Sequence, residues 1–293
     1  MQYTAKDIIK ECNDRNIHLY HLAIEDEMNK NNVSEEYIRT EFYKMLDVMG
    51  KSSSNFLEKE SVTNMGMIDG FAKKMNDYYK KGKSFCGDDV TRAMAMAFST
   101  IEVNASMGKI VAAPTAGASG ILPAAFMSAK IKFDLDKDTL INGLLTSSFV
   151  GKIIGKYFTF AGAEGGCQAE CGSAASMASA GLVQMLGGSV EQCFHAGSFA
   201  LLNVMGLVCD PVAGLVEYPC AFRNSSGVIN AMLCADMALA GVKSVVPFEE
   251  VMKAANIVGS ALPLSLRETG IGGIAGTETA CNIRNVYFSK FDK

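Results

Sequence analysis

Three cysteines stand where a thiolate could do chemistry rather than fill space. Cys167 lies in Gly162-Ala163-Glu164-Gly165-Gly166-Cys167-Gln168-Ala169-Glu170-Cys171-Gly172-Ser173-Ala174, Cys209 opens Cys209-Asp210-Pro211-Val212-Ala213-Gly214, and Cys220 closes Glu217-Tyr218-Pro219-Cys220. Gly165 and Gly166 free the backbone for a tight approach to a bound group. A thiolate in such a place is a nucleophile or a metal ligand. The other six of the nine cysteines read differently. Cys193 and Cys234 fall within apolar helical pattern and Cys12 on an amphipathic stripe, where packing is the expected role. Cys86, Cys171 and Cys281 are intermediate.

Three loop cysteines allow three readings. Zinc usually announces itself by a C-x2-C or similarly tight pair, and the sequence has none. A catalytic Cys–His pair needs an imidazole, and the candidates are His18, His21 and His195. The first two sit in a charged N-terminal region, and His195 sits in a helical stretch that suits a satisfied core histidine. An iron–sulfur cluster held by thiolates from separate loops suits the soft ligand set. The spacing is not the ferredoxin signature, so the residues alone leave the choice open.

Two further glycine-bearing stretches bear on a site. Ala113-Pro114-Thr115-Ala116-Gly117-Ala118-Ser119-Gly120 lacks the lysine of a phosphate-binding P-loop. Its hydroxyls and N–H groups could form a nest for a carboxylate, or simply a tight interhelical turn. Gly270-Ile271-Gly272-Gly273-Ile274-Ala275 fits the letters of a dinucleotide fingerprint, but no buried strand precedes it, so that reading is discounted.

These loops need elements to hold them, and the chain predicts helices almost throughout. Stripes at Ile8, Ile9 and Cys12, then Tyr37, Phe42, Met45 and Leu46, make residues 1–55 a charged, amphipathic helical region. Asn32 or Ser34 would cap the second helix. Lys51-Ser52-Ser53-Ser54-Asn55 reads as a loop by composition, and so does Met65-Gly66-Met67-Ile68-Asp69-Gly70. Helical pattern then fills 90–103, resumes at Pro123, and returns over 140–160, 173–186, 190–205, 226–240 and 248–262. The stretch 173–186 is apolar all round and implies a deep core. Only Ile110-Val111 and Val245-Val246 are strand candidates. The expectation is an all-α fold: a single domain over 1–293, with a core at 56–280 of buried Ala/Met/Gly-rich helices and Gly/Pro-rich loops converging on a pocket.

Composition narrows the function classes. Lys and Arg number 27 against 31 Asp and Glu, a net charge of -4, which points away from nucleic acid and anionic membranes. The uncharged stretches 110–129 and 171–190 are too rich in Gly, Ala, Ser and Pro to insert well. No disulfide framework and no leader are expected at the start Met1-Gln2-Tyr3-Thr4, so a reducing cytoplasm is the expected location.

Several motifs in order resemble one family. Asn104-Ala105-Ser106-Met107-Gly108 runs into Ala113-Pro114-Thr115-Ala116-Gly117, followed by Gly165-Gly166-Cys167-Gln168-Ala169-Glu170. Then come Cys209-Asp210-Pro211-Val212-Ala213-Gly214-Leu215-Val216, Pro219-Cys220 with Arg223-Asn224, and Arg267-Glu268-Thr269 with Gly272-Gly273. Together they look like the alpha subunit of the bacterial iron–sulfur-dependent L-serine dehydratases, over roughly residues 56–280.

The resemblance implies a helical domain that deaminates L-serine to pyruvate and ammonia, a step of amino-acid catabolism with gluconeogenesis downstream. It implies a 4Fe–4S cluster on Cys167, Cys209 and Cys220, with one iron open to substrate and sensitive to oxygen. Asn104, Ser106, Thr115, Gly117, Ser119, Arg223 and Asn224 become the candidates for holding substrate, and Gln168 and Glu170 for supporting the ligands. The family's beta part, with its Ser-His-Thr motif, is missing, so a separate beta subunit is expected as partner, in a hetero- or homo-oligomer. That partner could supply the base, which this chain leaves unidentified. Met65–Gly70 departs from the family's Gly-rich loop, which keeps open a non-catalytic member or one preferring L-threonine or L-cysteine. The tail Ser289-Lys290-Phe291-Asp292-Lys293 has no cysteine to act as a temporary ligand, and Cys171 is assigned to packing at the start of a buried helix.

Overall fold

Helix signals in the sequence take effect close to where they fall. In the computed structural model, which describes residues 4–290, Thr4 and Asp7 cap α1 (Ala5–Arg15) reciprocally at 3.2 and 3.1 Å, a capping box. Residues 1–3 and 291–293, which carry the start of the chain and most of the cysteine-free tail, lie outside that description. α2 (Leu19–Asn31) ends at Asn32 in the left-handed region, and Ser34 is the residue that caps α3 (Glu35–Ser54). α3 buries Ile38, Leu46 and Met49 and leaves Tyr37 and Met45 exposed, so the expected stripe is offset.

α3 also runs through the serines expected to be a loop. Ser52, Ser53 and Ser54 donate back to the carbonyls of Met49 and Gly50 at 2.9–3.1 Å, which satisfies their hydroxyls inside the helix. Ser52 and Ser53 are buried, and the Ser52 carbonyl accepts from Ser99 Oγ at 2.8 Å. Composition signalled a loop; local back-bonding and burial overrode it.

The chain continues through α4 (Phe71–Tyr79), α5 (Asp88–Ala105), α6 (Ile121–Phe133) and α7 (Lys137–Tyr157). A single turn, α8 (Gly162–Gly165), and a π-helical turn at Gln168–Gly172 lead into α9 (Ser173–Met185). α10 (Val190–Leu202), α11 (Cys220–Leu239), α12 (Phe248–Ala261) and α13 (Glu278–Phe288) complete it. α11 starts at Cys220 rather than at 226, because Asn224 Nδ2 closes onto the Cys220 carbonyl at 2.9 Å within its first turn. No strand occurs among the described residues, and the two strand candidates are irregular. The one backbone bridge joins Cys209 to Arg267.

All of α9 is buried, as its apolar, small-residue sequence requires. It packs between α7 and α10. A Cβ at Gly181 would stand 2.4 Å from Ser147 Oγ and 2.6 Å from Phe126, so glycine sets how closely α7 and α9 meet. The N-terminal helices belong to the same core: Ile8, Cys12, Leu19 and Leu22 pack into the cluster that holds α9. No helix among the described residues is long and apolar enough to cross a membrane.

A smaller cluster of Ile68, Ala72, Phe98, Ile101, Ala105 and Ala221 joins α4 and α5 to the start of α11. Glu102 sits beside it, fully buried, with Oε1 accepting the Ala72 N–H at 2.9 Å. The carboxyl thus caps α4, whose own first position, Gly70, has no side chain. Burial pushes the Glu102 carboxyl up to about 7.

The unfolded chain ionises Glu102 near its ordinary 4.5, while the fold keeps it protonated until about 7. The fold therefore loses stability as pH rises between those values and levels off above them. Glu102→Gln keeps the acceptor and removes the charge. Its urea-unfolding free energy should fall by about 3 kcal/mol less than the parent's across that window; parallel pH profiles would show that Glu102 is not the titrating group.

Candidate active site

Cys167, Cys209 and Cys220 come from three separate segments, and the structure fixes each by its neighbours' polar groups. Gly166, at φ +75°, turns the chain after α8 so that Cys167 starts the π-helical turn. Gln168 then clamps that turn. Its Nε2 donates to the Gly165 and Ala255 carbonyls at 2.9 and 3.0 Å, and its Oε1 accepts the Gly206 N–H at 3.0 Å. The side chain is fully used by backbone, so Gln168 supports the turn that carries Cys167 and presents nothing to the site.

Cys209 is held edge to edge with the Arg267-Glu268-Thr269 motif. Its N–H donates to the Leu266 carbonyl at 2.9 Å, and its carbonyl accepts the Glu268 N–H at 2.6 Å. Cys220 opens α11 directly after Pro219. One turn on, Arg223 pairs with Asp210, whose other oxygen accepts the Ile274 N–H at 2.7 Å. All three thiols are buried.

The convergence is sharpest at Gly162. A Cβ there would lie 2.8 Å from Cys209 Sγ, 2.9 Å from Glu170 Oε2 and 3.2 Å from Glu268 Oε2. Only a hydrogen fits. Glu170 reaches across: Oε1 accepts from Thr115 Oγ1 at 2.7 Å, and Oε2 lies 3.8 Å from Cys209 Sγ. Gly117 faces the same carboxylate, with room for no Cβ. On its other side the loop is gripped by buried Asn224, which donates to the Gly117 carbonyl at 2.6 Å and accepts the Gly120 N–H at 2.8 Å.

The sequence candidates therefore divide. Thr115, Gly117, Arg223 and Asn224 gather around the thiols through Glu170, Asp210 and Cys220. Ser119 is buried with its hydroxyl donating to the Ala116 carbonyl at 2.8 Å, and Ser106 donates to the Val62 carbonyl at 2.9 Å. Those two hydroxyls hold loops. Asn104 lies in the last turn of α5, where its carbonyl accepts the Met107 N–H at 3.0 Å. The histidines lie elsewhere: His21 caps α2 with His18, and His195 on α10 accepts the Ser244 N–H at 3.2 Å.

Sequence reading missed three acids. Glu217 is buried three residues before Cys220, and its carboxylate accepts from Met65 N, Met67 N and Thr63 Oγ1 at 2.8–3.1 Å. The divergent Met65–Gly70 loop is thereby tied to the third cysteine. Asp210 and Glu268, quoted only as motif letters, meet Arg223 and Gly162. An acid beside a cysteine in a Pro-bearing loop was the available signal. Cys171 has a neighbour that the sequence did not show. It is buried as packing predicts, but it stands on the π-helical turn with Sγ 3.4 Å from Cys167 Sγ. Cys281 lies apart, near the Ala275 carbonyl.

The site is electrostatically crowded. Burial raises the Cys209 and Cys220 thiols well above their ordinary range, and negative charge at Cys167 and Glu170 raises them further. The Cys171 S–H holds Cys167 below its usual value, with Arg223 adding to the effect. Burial, then Glu268, raises Glu170. Sulfur-rich groups that repel one another as anions are a donor set that a soft cation relieves. No three His, Cys, Asp or Glu side chains among the described residues are gathered as a single metal ion would need.

Known proteins resemble this chain over most of its length. The chain matches the family described as serine dehydratase alpha chain over residues 14–275, which reaches further into the N-terminal helices than the resemblance read from the motifs. It is 56% identical over 292 residues to the L-serine dehydratase, alpha chain, of Peptoniphilus asaccharolyticus, covering 100% of both. It is 40% identical over 285 residues to a probable L-serine dehydratase, alpha chain, of Bacillus subtilis, covering 97% of this chain and 94% of that one. The L-serine dehydratase of Streptomyces coelicolor is 34% identical over 229 residues, which are 75% of this chain and 50% of that protein.

Asn224→Ala leaves the Gly117 carbonyl and the Gly120 N–H unpaired in a buried loop. It should lower unfolding free energy by about 2–3 kcal/mol, read by urea denaturation. Ser106→Ala, at an exposed hydroxyl, should cost less than about 1 kcal/mol. Equal costs would show that the 113–120 loop does not hang on Asn224.

Proposed function

The chain belongs to the serine dehydratase alpha chain family, and from that membership we propose that it is the catalytic alpha subunit of an L-serine dehydratase. It would deaminate L-serine to pyruvate and ammonia at a 4Fe–4S cluster held by Cys167, Cys209 and Cys220. The observation that carries this reading is a trio of buried thiols from three segments, near enough for the charge of each to act on the others, with Cys209 pressed beside Glu170 against Gly162. Three irons of such a cluster would each take one thiolate, which suits thiols delivered singly rather than drawn onto one ion.

When bound, the cluster would supply Lewis acidity at an iron without a protein ligand, favouring loss of the substrate hydroxyl. The protein's own groups do the rest. Arg223 is half-buried, paired with Asp210 and near enough to Cys167 to act on its charge. It would balance thiolate charge, and its Nη1, which has no hydrogen-bond partner, leaves it a candidate for the substrate carboxylate. Thr115 and the 113–120 backbone, pressed toward the thiols by Glu170 and Asn224, form the wall against which a small amino acid would be oriented. Glu170 and Glu268 are the carboxylates nearest that wall. With His18, His21 and His195 elsewhere, an imidazole base would come from a partner.

Two relatives that this chain matches nearly end to end are named alpha chains, and the Streptomyces protein is about twice the matched length. Both facts support a separate beta subunit. A cytoplasmic location and oxygen sensitivity belong to the same proposal, since an open iron reached by substrate is reached by oxidants.

Anaerobic reconstitution with iron and sulfide, with and without the beta subunit, followed by a pyruvate assay on L-serine, tests the reading. Serine turnover at an iron–sulfur chromophore is expected. A chromophore without keto acid from L-serine, L-threonine or L-cysteine would replace the enzyme by a non-catalytic relative. A changed ranking of the three would point to the Met65–Gly70 loop. Cys167→Ser, Cys209→Ser and Cys220→Ser should each abolish the visible absorbance, while Cys193→Ser and Cys234→Ser, in the buried helices α10 and α11, should retain it. Uniform loss across the five would overturn the ligand assignment.

A further inference from the structure

Cys171 takes no part in the three-thiolate set, yet its Sγ stands 3.4 Å from that of Cys167. No other pair of cysteine sulfurs among the described residues is recorded in contact, and all nine cysteines are free thiols. Cys167 and Cys171 are one helical turn apart. Cys167, Gly172 and Ser173 have right-handed helical backbone, and the π-helical turn fills the interval. One turn of helix separates Cα atoms by about 6 Å, inside the span of about 4.4–6.8 Å that a disulfide bridges. Rotation of the two side chains need bring the sulfurs only about 1.4 Å nearer to reach bonding distance.

We propose that Cys167 and Cys171 form a redox-sensitive dithiol, a covalent modification site that peroxide closes to an intramolecular disulfide whenever Cys167 is not engaged by a metal. The Cys167 sulfur attacks the O–O bond of hydrogen peroxide, giving a sulfenic acid and one water. The Cys171 sulfur then attacks the Cys167 sulfur, the S–S bond forms, and the hydroxyl leaves as a second water. Two thiols are oxidised by two electrons and one peroxide is reduced to two waters. A dithiol reductant reverses the bond by exchange.

Position makes the pair selective. Both thiols are buried, which favours a small oxidant over a bulky disulfide. Cys86 is the exposed cysteine; with no cysteine recorded in contact with it, it oxidises to sulfur acids or intermolecular products rather than to an intramolecular disulfide. The closed bond would also remove Cys167 from the ligand set, so an oxidised chain could not take up iron until reduced. That second consequence rests on the ligand assignment proposed above; the disulfide itself does not.

The full chain, freed of metal under reducing conditions and desalted anaerobically, is treated with one equivalent of hydrogen peroxide, alkylated, digested and analysed by mass spectrometry. The peptide carrying Cys167 and Cys171 should escape alkylation and weigh about 2 Da less than its reduced form. Cys171→Ser and Cys171→Ala should leave Cys167 unbridged. Full alkylation of both cysteines in the parent chain while Cys86 is oxidised would overturn the proposal. In a second arm, the oxidised parent is offered iron and sulfide before and after dithiothreitol, and iron content is counted. Uptake only after reduction, with the Cys171 variants loading without it, supports both halves. A disulfide that forms but does not block iron uptake would uphold the dithiol and overturn Cys167 as a ligand.

Discussion

Mutual repulsion among buried acidic groups is the constraint on which the rest of this structure turns. Cys167, Cys209 and Cys220 are drawn from the π-helical turn, the bridge to Arg267 and the start of α11. Glu170 and Glu268 meet Cys209 over Gly162. Burial and like charge both raise the Cys209 and Cys220 thiols, and the half-buried guanidinium of Arg223 is shared between Asp210 and Cys167. Bringing such groups together costs free energy unless something positive joins them. The fold's large, dry core is what holds them in place against that cost.

Irregular backbone surrounds the thiols, and buried irregular backbone must find its hydrogen bonds. The chain solves this with single polar side chains that each satisfy several main-chain groups. Gln168 serves Gly165, Ala255 and Gly206, Asn224 serves Gly117, Gly120 and Cys220, and Glu217 serves Met65 and Met67. Each clamp lies one to four residues from a thiol in sequence. Loop position and ligand position are thereby one problem, and losing a clamp should move a sulfur as well as a loop.

What the sequence made legible follows from range. Helices were readable because propensity, capping and apolar period are local: Ser34, Pro123 and the all-buried α9 fell where expected. The Ser52–Ser54 segment misled because the same serines serve loops and helices, and only burial against Ser99 decides. Cys167, Cys209 and Cys220 stood out by their glycine and proline neighbours, and a family resemblance supplied their grouping. The clamps were not legible, because a buried Glu or Asn has the same letter as an exposed one. Glu217 contacts a loop some 150 residues away, and Ser106 and Ser119 were named for hydroxyls that the backbone had already claimed. Polar residue type shows what a side chain can bond; only the fold shows what it has bonded.

That distinction also reassigns the motif from which the site was first read. In Gly162–Ala174, the glycines at 162 and 166 answer steric demands, one for an approaching sulfur and carboxylates, the other for a positive φ. Gln168 and Glu170 point to different tasks, one to backbone and one across to Thr115 and Cys209. The π-helical turn is what permits this. Its i→i+5 bonding puts more residues in each turn and shifts the register of side chains relative to an α-helix; Cys167 and Cys171, four residues apart, stay in contact while Glu170 between them faces the 113–120 loop. A regular α-helix beginning at Cys167 would place those side chains differently around the axis. The turn that precedes α9 therefore serves as the joint between the buried scaffold and the chemistry it carries, and its irregularity is a functional feature of the kind π-bulges commonly mark.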